Sequence, residues 1–396
     1  MTIRKRAIEA IVPQATEWRR DMHRNPQTMY EETYASDLVC RLLTEWGIPF
    51  ERGIAGTGVV ATIEGRQNNS GRAIAFRGDM DALDLNEESG QPWASQTPGK
   101  MHGCGHDGHT ATLLLLARYL NDTRNFDGVI RLVFQPAEEG GRGAFRMLDE
   151  GLLERFPFDE IYGFHNFPLI PKGVFAIRSG PMLAAVDNFE ILLFGQGGHG
   201  GMPQTTRDVV PASAQLVLAL QTLVSRETDP IASAVISITN LNAGTGAENV
   251  IPGKARLSGT VRTFLPKVRD HIETRMKAMA EGIAATFNLR AEFTYVRLMD
   301  PTINHPEETA FAREAAKVIS GASGLIEVPP IMGGEDFGGF LLARPGAFIF
   351  LGQGEADPTS PHNAGVHSPQ YDFNDAILPL AAEYFAELAE RRLPID

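Results

Sequence analysis

Between Met101 and His109 the sequence reads Met-His-Gly-Cys-Gly-His-Asp-Gly-His, which places three imidazoles, a thiol and a carboxylate within nine residues. Thiolate sulfur and neutral imidazole nitrogen are the side-chain donors that borderline metals bind best. The intervening glycines let a loop turn tightly enough to aim both at one point. Further donors follow apolar runs elsewhere: Asp79 and Asp81 after Ala73 to Phe76, Glu138 and Glu139 after Val129 to Phe134, and His165 after Glu160 to Phe164. His362 lies in the loop from Ser360 to Pro369. Any one of these residues alone is more often structural. Together, with Cys104 and His106 two residues apart, they predict a metal centre. Their scatter along the chain favours a catalytic site, because structural zinc uses paired Cys and His clusters.

Glu138 and Glu139 leave a strand together, and adjacent residues there point to opposite sides. One can then ligate while the other works nearby as a base. Two solvated acids at a helix start, favoured by the dipole, satisfy the same spacing. The loop Gly195 to Gly201 carries His199 among glycines, but it lacks the Gly-Lys-Ser/Thr ending of a phosphate-binding loop and matches no dinucleotide fingerprint. Arg262 is a surface charge or a carboxylate clamp, and spacing alone favours surface. No Gly-x-Ser-x-Gly elbow exists. Cys104 with His106 and Asp107 leaves a cysteine hydrolase as a minor alternative.

The elements that must position these residues alternate. Helices are expected within residues 5–46, broken near Pro13 and at Asn25-Pro26, followed by strands at 59–64 and 73–76. A helix over about 107–121, a strand at 129–134, a helix over 142–150 and a strand at 160–164 continue the pattern. Such alternation predicts a largely parallel sheet with active groups at the carboxyl ends of its strands. From residue 187 the rhythm becomes strand 188–194, helix 209–226, strands 233–240 and 254–264, helix 266–287 and strand 291–298. That is the β-α-β-β-α-β order of a ferredoxin-like unit. Helix 307–319, strand 347–351 and a final helix at 374–391 return to the first style. The expected fold class is α/β, with one discontinuous domain, 1–186 and 299–396, interrupted by an inserted α+β domain, 187–298.

At 396 residues the chain is long enough for two to three domains. A formal charge of −13 argues against nucleic acid, which needs clustered Lys and Arg. No run of about 18 apolar residues is found, so no membrane span is expected. Met1 to Arg20 lacks the apolar core of a secretory signal. With only Cys40 and Cys104, a disulfide framework is not expected and a reducing cytoplasm is the natural compartment.

Five segments in order carry a resemblance: Gly78-Asp79-Met80-Asp81-Ala82-Leu83, Met101 to Asp107, Gln135-Pro136-Ala137-Glu138-Glu139-Gly140, Gly163-Phe164-His165-Asn166 and Gly333-Gly334-Glu335-Asp336-Phe337. The series resembles the M20 metallopeptidase family, and within it the N-acyl amino acid amidohydrolases that include hippurate and auxin-conjugate hydrolases. The resemblance implies a zinc-peptidase-like α/β catalytic domain with an inserted ferredoxin-like domain that dimerises. It also implies two divalent metal ions, zinc first and manganese, cobalt or nickel as alternatives, held by Cys104, His106, Glu139, His165 and His362. Glu138 matches the general base, and Asp81 the carboxylate that orients a ligand. Asp79 stands where other branches have a metal-binding histidine. His199 resembles the histidine that reaches into a partner subunit's site, while Asn249 and Arg262 match positions that recognise the substrate carboxylate. The implied activity is hydrolysis of the amide of a small N-acyl amino acid to a carboxylic acid and a free amino acid, by a homodimer or dimer-based oligomer. A dipeptidase or aminopeptidase of the same fold and a non-catalytic binding relative are the alternatives. Asp84 and Gln204 depart from the Pro and His that relatives often show, which bears on substrate detail and not on the ligands.

Overall fold

Helix His106–Thr123 follows directly from the donor-rich stretch, and its sequence is apolar on every face from Leu113 to Ala117. A helix of that kind must be enclosed. Leu113, Leu114, Leu115 and Leu116 are all completely buried. The helix packs between strand Ala73–Asp79 and helices Val12–Arg24 and Leu378–Arg392. The computed structural model describes residues 2–395. The chain divides into two compact units, one formed by Met1–Met182, Ile303–Pro329 and Asp336–Asp396, the other by Leu183–Thr302 with Pro330–Glu335.

The first unit is built on an eight-stranded sheet. Its order is Phe50–Ile54, Gly58–Glu64, Val129–Gln135, Ala73–Asp79, Glu160–Pro171, Gly346–Gly354, Phe175–Ala176, Leu325–Ile326. The four central strands run parallel, as the alternating pattern requires. The margins do not: Phe50–Ile54 and Gly58–Glu64 form a hairpin, Gly58–Glu64 is antiparallel to Val129–Gln135, and Phe175–Ala176 is antiparallel to Gly346–Gly354. The sheet is therefore mixed, which corrects the expectation of a largely parallel one. The cause is connection length. Only Ala55, Gly56 and Thr57 join the first two strands, too few for a crossover. The first of these strands, Phe-Glu-Arg-Gly-Ile, was invisible to apolar patterning because two apolar residues flank three that are exposed.

The second unit has a four-stranded antiparallel sheet in the order Ala234–Ala243, Lys254–Thr263, Ala185–Phe194, Arg290–Met299. Helices Val209–Thr222 and Pro266–Thr286 contribute Leu216, Leu220, Ile272 and Met276 to a core with Phe189, Ile191 and Leu193. This is the β-α-β-β-α-β sequence of elements read from the chain. Segment Pro330–Glu335, placed by the sequence reading in the outer domain, groups with this unit instead. Ala184 donates its N–H to the Gly333 carbonyl at 2.9 Å, and Leu183 bridges to Ile331 in parallel. Segment Val209–Glu227 is also long and apolar enough to resemble a membrane span, with mean hydropathy 1.2. Its buried Val209, Ala212, Leu216, Leu220 and Leu223 are accounted for by the core of this unit.

Candidate metal centre

Gly105 has φ +93°, and a β-carbon there would overlap Asn166 Oδ1 and the Tyr371 hydroxyl. Only glycine makes this turn at this distance. The turn delivers Cys104 on its near side and His106 as the first residue of the buried helix. Strand Ala73–Asp79 brings Asp79 and, just past its end, Asp81. Strand Val129–Gln135 leads into Glu138 and Glu139, and strand Glu160–Pro171 carries His165. Parallel neighbours thus deliver their donors at the same carboxyl-end edge.

The donors converge. Cys104, His106 and His165 place ligand atoms within 4.8 Å of one another, as do His106, Glu138 and Glu139, and Cys104, Glu139 and His367. Cys104 Sγ lies 3.3 Å from His165 Nε2. His165 Nδ1 is 2.6 Å from the Asn166 carbonyl and so donates its hydrogen there. His106 Nδ1 is 3.1 Å from Asp81 Oδ1. In both rings the bond made at Nδ1 leaves the Nε2 lone pair for a cation. His106 Nε2 is buried with no hydrogen-bond partner. That orphaned nitrogen, amid a thiol, carboxylates and a second imidazole, fits a divalent metal ion and fits no protein donor present.

Supporting contacts fix these groups. Asp81 also accepts the Glu139 N–H through Oδ2 at 2.8 Å. Asp79 is taken up by Arg77 Nη1 at 2.6 Å and His109 Nδ1 at 2.6 Å, and His109 Nε2 reaches Asn166 Oδ1 at 2.8 Å. His102 is a buried core imidazole whose pKa burial lowers to about 4. Burial also opposes charge on His106, but Asp79, Asp81 and Glu139 outweigh it and lift its pKa to about 10, so a coordinating ion would displace a proton from Nε2 to reach its lone pair. Burial, then Glu139, Glu138 and Asp79, push the Cys104 thiol well above its ordinary value. The same negative field would favour a divalent cation, which deprotonates a coordinating thiol outright.

His362 does not join this cluster. It sits in the turn Pro361–Asn363 with Nδ1 directed to the Asp372 carbonyl at 3.2 Å, and among the described residues it belongs to no group of converging ligands. His367, five residues on, is the histidine of this loop that lies in the cluster, with Nε2 3.0 Å from Glu139 Oε1. His367 adopts φ +65° and donates its N–H to the Gly103 carbonyl at 2.8 Å. Its position thus follows from a left-handed residue docked on the donor loop, and the sequence signals neither feature.

Sequence reasoning also missed His23 and Arg19, which stand behind Asp107. His23 Nδ1 lies 2.8 Å from Asp107 Oδ2, and Arg19 lies 3.6 Å from the same oxygen. Burial opposes charge on His23, yet Asp107 and Glu87 raise its pKa to about 9. An amphipathic helix gives little warning of buried charges, although the spacing of Arg19 and His23 by one turn was a signal.

In the second unit, His199 is exposed in the two-residue strand Gly198–His199, which pairs with Val250–Ile251. Its Nδ1 accepts the Gly201 N–H at 3.0 Å, so the ring presents Nε2–H outward. Asn249 is exposed, and its carbonyl accepts the Gly200 N–H at 2.7 Å. The Arg262 guanidinium is partly buried and makes no ion pair or hydrogen bond among the described residues. Burial lowers its pKa, against the pull of Asp187.

Residues 75–391 match peptidase family M20/M25/M40. A hippurate hydrolase of Campylobacter jejuni is 38% identical over 376 residues, covering 95% of each chain. An N-acetylcysteine deacetylase of Bacillus subtilis is 38% identical over 373 residues, covering 94% of each. Among solved structures, a dinuclear metal-binding M20 peptidase of Bacillus subtilis superposes with TM-score 0.83 at 34% identity, covering 97% of this chain and 99% of that one. The chain belongs to peptidase family M20/M25/M40 and is an amidohydrolase of it.

Proposed function

We propose that this enzyme hydrolyses the amide bond of small N-acyl amino acids, releasing a carboxylic acid and a free amino acid. The observation that carries the proposal is the convergence of Glu138 with Cys104, His106, Glu139, His165 and His367 at one edge of the sheet. Both relatives named above act on acyl groups joined to an amino acid. Two divalent ions held by Cys104, His106, Glu139, His165 and His367, zinc first by donor type, would polarise the amide carbonyl and acidify water.

Glu138 is buried beside these donors, with one oxygen 3.4 Å from the Asp336 N–H. Its carboxylate takes a proton from the attacking water as oxygen bonds to the carbonyl carbon. It then passes that proton to the leaving nitrogen as the C–N bond breaks. Asp81 and the Asn166 carbonyl hold the two imidazoles in the orientation that frees Nε2. To His199 Nε2–H we assign the donation of a hydrogen bond to the negative charge that develops on the amide oxygen. Asn249 and Arg262 take the substrate carboxylate, and an unpaired guanidinium suits a planar anion. The second unit serves as a dimerisation or lid module, a role supported by exposed Val210 and Leu218 on helix Val209–Thr222. Two free cysteines suit a reducing cytoplasm.

The test is release of amine by metal-reconstituted enzyme from N-benzoyl, N-acetyl and indole-acyl amino acids, beside plain dipeptides. Turnover of the acyl compounds is expected. Activity on dipeptides alone would overturn the substrate class and favour the peptidase alternative.

A further inference from the structure

The turn that carries Glu138 is strained at its start. Ala137 has φ +54°, a left-handed conformation that disfavours any residue with a β-carbon. Three carboxylates hold the backbone around it. Asp81 accepts the Glu139 N–H at 2.8 Å, Asp336 accepts the Ala144 N–H at 2.9 Å, and Glu32 accepts the Ala137 N–H at 2.9 Å. Asp336 also meets Arg77, and Asp81 meets a proposed ligand. Glu32 does neither.

Glu32 is fully buried and makes no ion pair among the described residues. One oxygen also accepts the N–H of Tyr30, itself left-handed at φ +65°, at 2.8 Å, and the other accepts the Thr57 hydroxyl at 2.6 Å. The Tyr30 hydroxyl in turn donates to the Gly141 carbonyl at 2.6 Å. A single carboxylate therefore joins two left-handed residues 107 positions apart in sequence (137 − 30), one of them directly before Glu138. Burying a carboxylate with only neutral donors is costly. Packing alone would be served as well by an apolar side chain, so the cost points to a demand on backbone placement.

We propose that Glu32 is a positioning residue for the reaction: by holding the Ala137 N–H, it fixes the turn that sets where the Glu138 carboxylate stands. The proposal rests on the assignment of Glu138 as base.

The test compares Glu32→Ala and Glu32→Gln in metal-loaded enzyme, using the N-acyl amino acid best hydrolysed in the panel above. Glu32→Ala should lower kcat about 10–100-fold, the range for lost supporting contacts, while metal content holds. KM should stay within about twofold, since ground-state binding is untouched. Hydrogen exchange of the amides of 137–141 should accelerate while that of helix His106–Thr123 does not. Glu32→Gln keeps an acceptor for both N–H groups and should recover most of kcat. In a Glu138→Gln background the further loss from Glu32→Ala should be below about threefold, because both act through one carboxylate.

Full kcat in Glu32→Ala, additive losses in the double variant, or a kcat loss matched by loss of folded protein would each overturn the proposal. Unchanged exchange at 137–141 would do the same. If Glu138→Gln is inactive and Glu32→Ala fully active, this inference alone fails. Near-normal turnover by Glu138→Gln removes the base assignment beneath it.

Discussion

Around His106 nearly every polar group has an assigned neighbour: Asp81 on one ring nitrogen, Arg77 and His109 on Asp79, Asn166 on His109, and the open Nε2 facing thiol and carboxylates. The His199 ring makes one hydrogen bond among the described residues, from the Gly201 N–H, and stands in an exposed two-residue strand. The first imidazole is oriented before any ligand arrives, and the second is aimed only by its own backbone. Preorganised donors suit cation binding, where misplacement is expensive. A lightly held donor suits a contact made after substrate is bound. The contrast predicts that variants near His106 change metal content or chemistry, whereas variants at His199 change chemistry and leave metal and fold alone.

The largest effect belongs to Glu138→Gln, which should lower kcat about 10²–10⁴-fold, the range of general acid–base catalysis, with metal retained by elemental analysis. Near-normal hydrolysis would sink the base assignment. His199→Ala should lower kcat about 10²–10³-fold, as loss of an oxyanion donor does, with unchanged metal content. If instead the metal content of that variant fell, the two regions would not differ as described.

A smaller effect separates two neighbouring histidines. His367→Ala should weaken metal affinity at least about 10-fold, while His362→Ala should leave it unaltered. The reverse ranking in a metal titration would restore the ligand set inferred from resemblance. The smallest effect concerns His23. Its folded-state pKa, about 9, lies above the ordinary 6.5, so the stability it contributes is fully present below about pH 6.5 and is lost as pH rises through about 9. His23→Gln should flatten that alkaline decline in Tm, by about a few degrees. An identical Tm–pH curve would show that His23 and Asp107 do not exchange this energy.

Cys104, His106 and the Glu138–Glu139 pair were legible because their signals are local: a ligand pair two residues apart, and acids directly after an apolar strand. The ferredoxin-like unit was legible because hydrophobic period changes between strand and helix. His367 was not, since His362 shares its loop and only the left-handed backbone and the Gly103 carbonyl distinguish them. Glu32 was invisible for a related reason. It bonds to a residue 105 positions away, and nothing in its own neighbourhood marks it. The antiparallel margins of the large sheet escaped because strand direction depends on how short connections close, and apolar patterning carries no direction.

Strand Gly346–Gly354 pairs along its length with Glu160–Pro171, and helix Leu378–Arg392 packs on helix His106–Thr123. During synthesis the first half of the large sheet therefore emerges with an open parallel edge, and the apolar helix His106–Thr123 emerges uncovered on the side that Leu378–Arg392 later takes. It stays so while the whole of Leu183–Thr302 is made, a stretch that can already close its own core. An exposed edge is a template for pairing with other chains. The unit that holds the chemistry is thus the last to become protected on the ribosome.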